Sequence, residues 1–167
     1  MDVCDINIDQ AQATAFQVTF TKIPNTIYMC QAVNIPSISS QPVSVPTPFI
    51  AYPMVGDHLS YDQLNMEFII NADFSNWLEL VDWKKRLYFP EDYNQHKSIA
   101  ESEGGLYGDC VVTLLNSTSN PILRFTYEDC FPISVSGFRL STVVQDSSEP
   151  MVATATFAFS TFTVKSI

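Results

Sequence analysis

Two histidines, four cysteines and eighteen carboxylates are the groups with which this chain of 167 residues could do chemistry. His58 and His96 stand at no metal-ligand spacing with another histidine or with a cysteine. The cysteines (Cys4, Cys30, Cys110 and Cys130) are far apart and form no CxxC pair. Their even number permits two disulfides, but no secretory signal accompanies them, so they read as reduced, buried thiols. Gly104-Gly105 lacks the following Lys and Ser/Thr of a phosphate loop and reads as a hinge. Glu91-Asp92 and Glu128-Asp129 are acidic neighbours. Adjacent residues of a strand point to opposite faces, so Glu128 and Asp129 are poorly placed to share a proton, and both pairs read as solvated carboxylates. Asn116-Ser117-Thr118 matches a glycosylation sequon that a cytosolic chain would not have modified. The residue types therefore give no catalytic constellation, no cofactor-binding loop and no metal site, and the expectation is a protein that is not an enzyme.

The remaining candidates are groups that make contacts. Lys84-Lys85-Arg86 is the one positive cluster in the sequence. It reads either as a solvated helix end near the negative pole of the dipole or as a contact with acidic loops of a neighbouring copy. Trp77 and Trp83 lie six positions apart, on different faces of a helix, one for the core and one for an interface. Val45, Phe49, Ile50, Tyr52 and Met54 fall in an extended, Pro- and Ser-rich arm, and projecting apolar segments of this kind serve partners.

Charge and composition narrow the partners further. Acids outnumber bases 18 to 8, a net charge of −10. A duplex-binding surface needs clustered Lys and Arg, so specific DNA binding is excluded. No apolar run approaches the 18 or so residues that span a bilayer, and Met1 to Gln10 carries three aspartates in place of a cationic leader. The length suits one domain, 1–167, with an N-terminal arm at 1–15, an extended arm or hairpin at 37–62 and a surface loop at 91–108.

The elements that must position these groups are mostly strands. Phe16 to Thr21 alternates apolar and polar residues, and Ile27 to Val33 reads as a second strand, the two forming a hairpin about Pro24-Asn25. A long projecting hairpin follows within 41–70, and Leu64, Met66 and Phe68 share one face of its return. One helix is expected at about 74–88, capped by Asp73 or Ser75 and stopped by Pro90, with Phe74, Trp77, Leu78, Val81 and Tyr88 at helical spacing. Cys110–Leu115, Ile122–Tyr127 and Ile133–Leu140 read as strands. Met151–Val164 reads as one long strand without a charged residue, which as an exposed edge would aggregate and so needs pairing within the domain or across subunits.

The order of these segments carries a resemblance. Cys30-Gln31-Ala32-Val33-Asn34-Ile35-Pro36 leads to the arm. Val55-Gly56-Asp57-His58-Leu59-Ser60-Tyr61-Asp62-Gln63-Leu64 leads to the strand Asn65–Asn71 and the Trp-bearing helix. Cys130-Phe131-Pro132-Ile133-Ser134-Val135-Ser136 precedes the terminal strand. Over residues 16–164 the chain resembles the tail tube proteins of contractile-tailed bacteriophages, and the baseplate proteins that initiate such tubes look similar. The resemblance implies a mainly β, sandwich- or barrel-like tail-tube fold whose strands join across subunits into a continuous barrel. It implies a structural virion protein of the tail, assembled in the bacterial host cytoplasm into stacked hexameric rings inside a contractile sheath. Its partners would be itself, the sheath protein and the baseplate proteins. Tape measure protein and DNA would pass the lumen without specific binding, and no membrane is involved. The readings left beside it are a tube-initiating baseplate protein, the tube of a related injection or secretion system, and a monomeric β-sandwich that binds a ligand.

Overall fold

Val18 and Phe20, Leu64, Met66 and Phe68, and Ala153, Ala155 and Phe157 are buried, while the residues between them are not. That period of two is the signature of strands with one face on a core. The computed structural model describes residues 15–24, 29–88, 105–138, 140 and 150–167. The expected N-terminal arm, most of the loop at 91–108, Cys4, His96 and the Glu91-Asp92 pair lie outside the described residues. The elements in chain order are β1 (Phe16–Phe20), β2 (Cys30–Asn34), β3 (Ile38–Ser40), β4 (Val43–Pro46), β5 (Ala51–Met54), β6 (Leu59–Tyr61), β7 (Leu64–Ile69), α1 (Ser75–Tyr88), β8 (Gly108–Leu115), β9 (Pro121–Val135), β10 (Val152–Ala158) and β11 (Thr161–Ser166).

All strand pairs are antiparallel, and β9 belongs to two sheets. Its first part lies between β8 and β11, with β1 beyond β8; its last part pairs with β10, followed by β7 and β2. The strand turns from one sheet into the other at Asp129. That residue has φ 56°, and two β8 steps from Gly108 to Cys110 are matched by three β9 steps from Cys130 to Tyr127. An extra residue of this kind is a bulge, which bends a strand and sharpens its twist. The same bend interrupts the terminal strand opposite, at Phe159-Ser160, where the Ser160 hydroxyl donates to Asp129 Oδ2 at 2.8 Å.

The core fills the space between the two sheets. Phe20 of the first meets Phe157 of the second at 4.9 Å between ring centroids. Helix α1 closes this core with Leu80 and Trp83, the latter lying 6.3 Å from Phe157. Buried Asn76 pegs the start of the helix to the end of β7: its amide donates to the Ile69 carbonyl at 2.7 Å and its Oδ1 accepts from Asn71 N–H at 3.2 Å.

Several sequence expectations change here. β1 and β2 do not form a hairpin, because β1 pairs with β8 and β2 with β7. Ile122–Tyr127 and the start of Ile133–Leu140 are one strand, so Glu128 and Asp129 sit within β9, where the left-handed backbone of Asp129 breaks the simple alternation of faces. The uncharged terminal segment is two strands. Its β10 half is paired on both edges, whereas among the described residues β11 pairs with β9 alone. The helix begins at Ser75, and its first turn carries no acid; Asp73 just outside accepts from the Ser75 N–H at 3.3 Å. Trp77, half-buried, packs its ring edge-on against Phe138 at 5.3 Å, and its indole N–H donates to the Ser136 carbonyl.

Candidate assembly surface

Strands β3 to β6 leave the second sheet as a two-part hairpin. Its root is a cluster of rings. Tyr61, the last residue of β6, lies 5.3 Å from Phe162 and 5.9 Å from Phe159, and Tyr127 joins both at 5.5 and 5.0 Å. Aromatic contacts of this spacing are each worth about 0.5–1.5 kcal/mol beyond the area they bury, so the hairpin is anchored at the break between β10 and β11. Asp62 N–H donates to the Ser37 carbonyl at 3.1 Å, and the Ser37 hydroxyl returns a bond to the Asp62 carboxylate. The proximal pair, β3 with β6, aligns Ile38 with Tyr61 and Ser40 with Leu59; the distal pair, β4 with β5, aligns Val43 with Met54 and Val45 with Tyr52. Two residues, Gln41 and Pro42, oppose four, Val55 to His58, at the joint between them. Gly56 is required there, because a Cβ on it would stand 2.0 Å from the Gln41 carbonyl oxygen.

Directly opposed residues share a face, as do alternate residues, so Val43, Val45, Tyr52 and Met54 make one continuous apolar face on the distal hairpin. The turn carries Phe49, 97% exposed, and Ile50, 61% exposed. All five hairpin residues singled out from the sequence therefore lie on one exposed element. Val43, Val55, Ile38 and Leu59, also exposed, were missed, although the alternation of Val43 with Val45 is the signal that finds the first of them.

The cationic cluster lies elsewhere, on α1. Lys84, Lys85 and Arg86 are successive helix positions and so turn to different sides. Arg86 pairs with Asp82 one turn earlier at 2.5 Å, an exposed pair of the kind worth about 0.3–0.5 kcal/mol. Lys85 borders a shallow cleft with Leu78, Val81 and Asp82, and Lys84 and Lys85 together border a second with Val81, Tyr88 and Val135. Nothing in the fold brings these cations to the hairpin.

The groups with nucleophilic potential are held unreactive. Cys30, Cys110 and Cys130 are free thiols. Burial pushes Cys30 up to about 11 and Cys130 up to about 12 and raises Cys110 as well, so the thiolate form is suppressed. Burial likewise raises the Tyr127 phenol, whose hydroxyl has no hydrogen-bond partner among the described residues. Among the described residues no three His, Cys, Asp or Glu side chains converge as metal ligands, and none of the described helices is long and apolar enough to cross a membrane.

No protein-family model and no curated protein matches the sequence. Solved structures match the fold. A chain in the cryo-EM structure of the anti-feeding prophage baseplate, symmetrised six-fold, superposes with a TM-score of 0.65 over 93% of this chain and 95% of that one, at 15% identity. A chain of an extracellular contractile injection system, the PVC sheath–tube complex in its extended state, gives 0.64 over 95% and 93%, at 10% identity. A chain in the anti-feeding prophage tube-terminating cap gives 0.60 over the whole of both chains, at 14% identity. The chain has a tail-tube fold. This tail-tube fold occurs in structures of a baseplate, a sheath–tube complex and a tube cap. The fold alone therefore does not fix a position along a tail.

Proposed function

We propose that this chain is a structural subunit that assembles into hexameric rings, stacked as the inner tube of a contractile phage tail and serving as the conduit for the genome. The observation that carries the reading is an exposed apolar hairpin projecting from a tail-tube fold whose outer strands end in open edges. Among the described residues β1 pairs only with β8, β2 only with β7 and β11 only with β9. Strand edges left open in this way invite pairing, and closing them against neighbouring copies would make one continuous barrel without edges. The hairpin then serves contacts between rings, with Val45, Phe49, Ile50, Tyr52 and Met54 as the contact residues. Lys84 and Lys85 on α1 supply a weaker electrostatic contact to acidic neighbours, the sheath among them. A net charge of −10 per subunit repels phosphates, so DNA and a tape measure protein would pass without sticking. The role is one of assembly and not of catalysis, and its site is the virion tail.

A second reading is favoured by the structures that match, which come from the anti-feeding prophage and an extracellular contractile injection system. In that case the tube carries an effector in place of a genome. Negative-stain microscopy of the purified chain across a concentration series tests the common part: six-fold rings or hollow tubes support it, and a monomer that persists even with baseplate extract overturns it. Gene neighbours separate the two readings, capsid and portal genes for a phage, effector genes for an injection system.

A further inference from the structure

Pro46 and Pro53 decide how the hairpin can touch a partner. The Thr47 N–H donates to the Ile50 carbonyl at 3.2 Å. Hydrogen-bonded and non-bonded pairs alternate along an antiparallel ribbon, so Val45–Tyr52 and Val43–Met54 bond inward, while Ser44–Pro53 and Pro46–Ala51 turn their backbone groups out. Two of those four outward positions have no N–H. Each edge of the distal hairpin is left with a single outward donor, at Ser44 or at Ala51, and a proline-blocked edge does not accept an added strand. The distal hairpin therefore binds through its face.

A matching face lies at the other end of the second sheet. Ile69 N–H donates to the Met29 carbonyl at 2.9 Å, Ile69 aligns with Val152, and Ile70 N–H donates to the Met151 carbonyl at 2.8 Å. Ile69 and Val152 point away from the core, since Phe68, Ile70 and Ala153 are the buried neighbours. Met29, Met151 and Val152 are each 40% exposed. With strands ~4.8 Å apart the row spans about 10 Å. The hairpin leaves the sheet at Asn34 and Leu64, the opposite ends of β2 and β7, about 17 Å away along the strand.

We propose that the apolar row of Met29, Ile69 and Val152, with Met151, is the acceptor for the hairpin face of a second copy. This rests on the tube reading above and names the surface that reading leaves open. Charge identifies the occupant. The chain carries a net −10, so copies repel, yet from Ile23 to Gly56 it has no charged side chain, and the acceptor row has none either. Two uncharged apolar faces are where two such copies can meet. Unbranched methionines adapt to the shape of what covers them. The two faces lie at opposite ends of one subunit, so the contact is head-to-tail and repeats without closing on itself.

The test replaces Tyr52 of the full chain by a photoreactive benzoylphenylalanine, allows assembly, irradiates, and maps the adducts by mass spectrometry. Adducts on peptides containing Met29 or Met151 are expected; adducts confined to α1 or β11 overturn the inference while leaving the tube reading intact. A charge swap gives an independent readout. Met54→Glu and Met151→Lys should each raise the critical assembly concentration at least about tenfold, and the double variant should recover most of that loss. Failure of the pair to recover, with each variant folded by its melting curve, overturns the pairing. If the unsubstituted chain forms no rings or tubes at all, the tube reading falls and this inference with it.

Discussion

Replacing Phe49 by alanine separates folding from assembly, because the ring sits at the tip of the hairpin with 97% of its surface exposed. It contributes nothing to the core, so the substitution should change the stability of the subunit by no more than about 0.5 kcal/mol. In a ring-to-ring contact the same side chain becomes buried, and fully burying a phenylalanine stabilises by about 1.5–3 kcal/mol. Each subunit added to a growing tube forms that contact once. At about 1.4 kcal/mol per decade, the critical concentration should rise roughly 10- to 150-fold. Pelleting across a concentration series reads the threshold, and a thermal melt below it reads the subunit. Two results would refute the reasoning: a threshold unchanged from that of the original chain, or a melting temperature that falls by many degrees. The first removes the tip from the contact; the second means that the ring packs against its own subunit.

Four other perturbations probe the frame behind the hairpin. Phe157→Ala removes a fully buried ring lying 4.9 Å from Phe20 and 6.3 Å from Trp83; it should cost about 3–5 kcal/mol in urea unfolding, and a loss below about 1 kcal/mol would contradict closure of the two sheets on this residue. Tyr127→Phe deletes a buried hydroxyl that has no partner among the described residues, so unfolding free energy should stay level or rise by about 1–3 kcal/mol; a clear loss would reveal a bond to that oxygen. Gly56→Ala drives a Cβ against the Gln41 carbonyl and should raise the assembly threshold without moving the core melt, whereas an unaltered threshold would make the joint irrelevant. Cys110 and Cys130 should resist alkylation at neutral pH until urea is added. Because burial raises these thiols above their ordinary value of 9.0, the unfolded chain releases its protons first as pH rises. Stability should be level below pH ~9 and fall above it, and an increase across that range would contradict the assignment.

Local pattern was legible where a residue's own neighbours decide its state. Alternation marked β1, β7 and β10. The helix was legible over nearly its observed span, because apolar residues at helical spacing need a single face, and the arm at 37–62 was legible from prolines that exclude helix. Pairing between distant segments was not. β1 and β2 are close in the chain, yet each found a partner in a different sheet, and no local signal carries that choice. The bulge at Asp129 was equally hidden, since an aspartate tolerates the left-handed region without announcing it. Asn76 gave no signal at all: a polar residue on a helix face reads as solvated until a carbonyl at the end of β7 is found beside it. The three cations, adjacent in sequence, are spread around the helix, and Arg86 pairs with Asp82 at the four-residue spacing.

The hairpin face is the instructive case, because its phase was present in the prolines. A two-stranded ribbon hides alternate backbone groups between its strands and turns the others outward, and proline fits only the outward places. Pro46, opposite Ala51, and Pro53, opposite Ser44, therefore fix which pairs bond inward. The inward pairs are Val45 with Tyr52 and Val43 with Met54. The prolines that remove donors from the edges thus also set the register that gathers these four apolar side chains on one face. An edge that cannot add a strand and a face that is apolar are two consequences of the same residues. Substituting Pro53 should therefore loosen register and open an edge together, which is why a segment this rich in β-branched and aromatic residues can stay exposed on the free subunit without pairing at random.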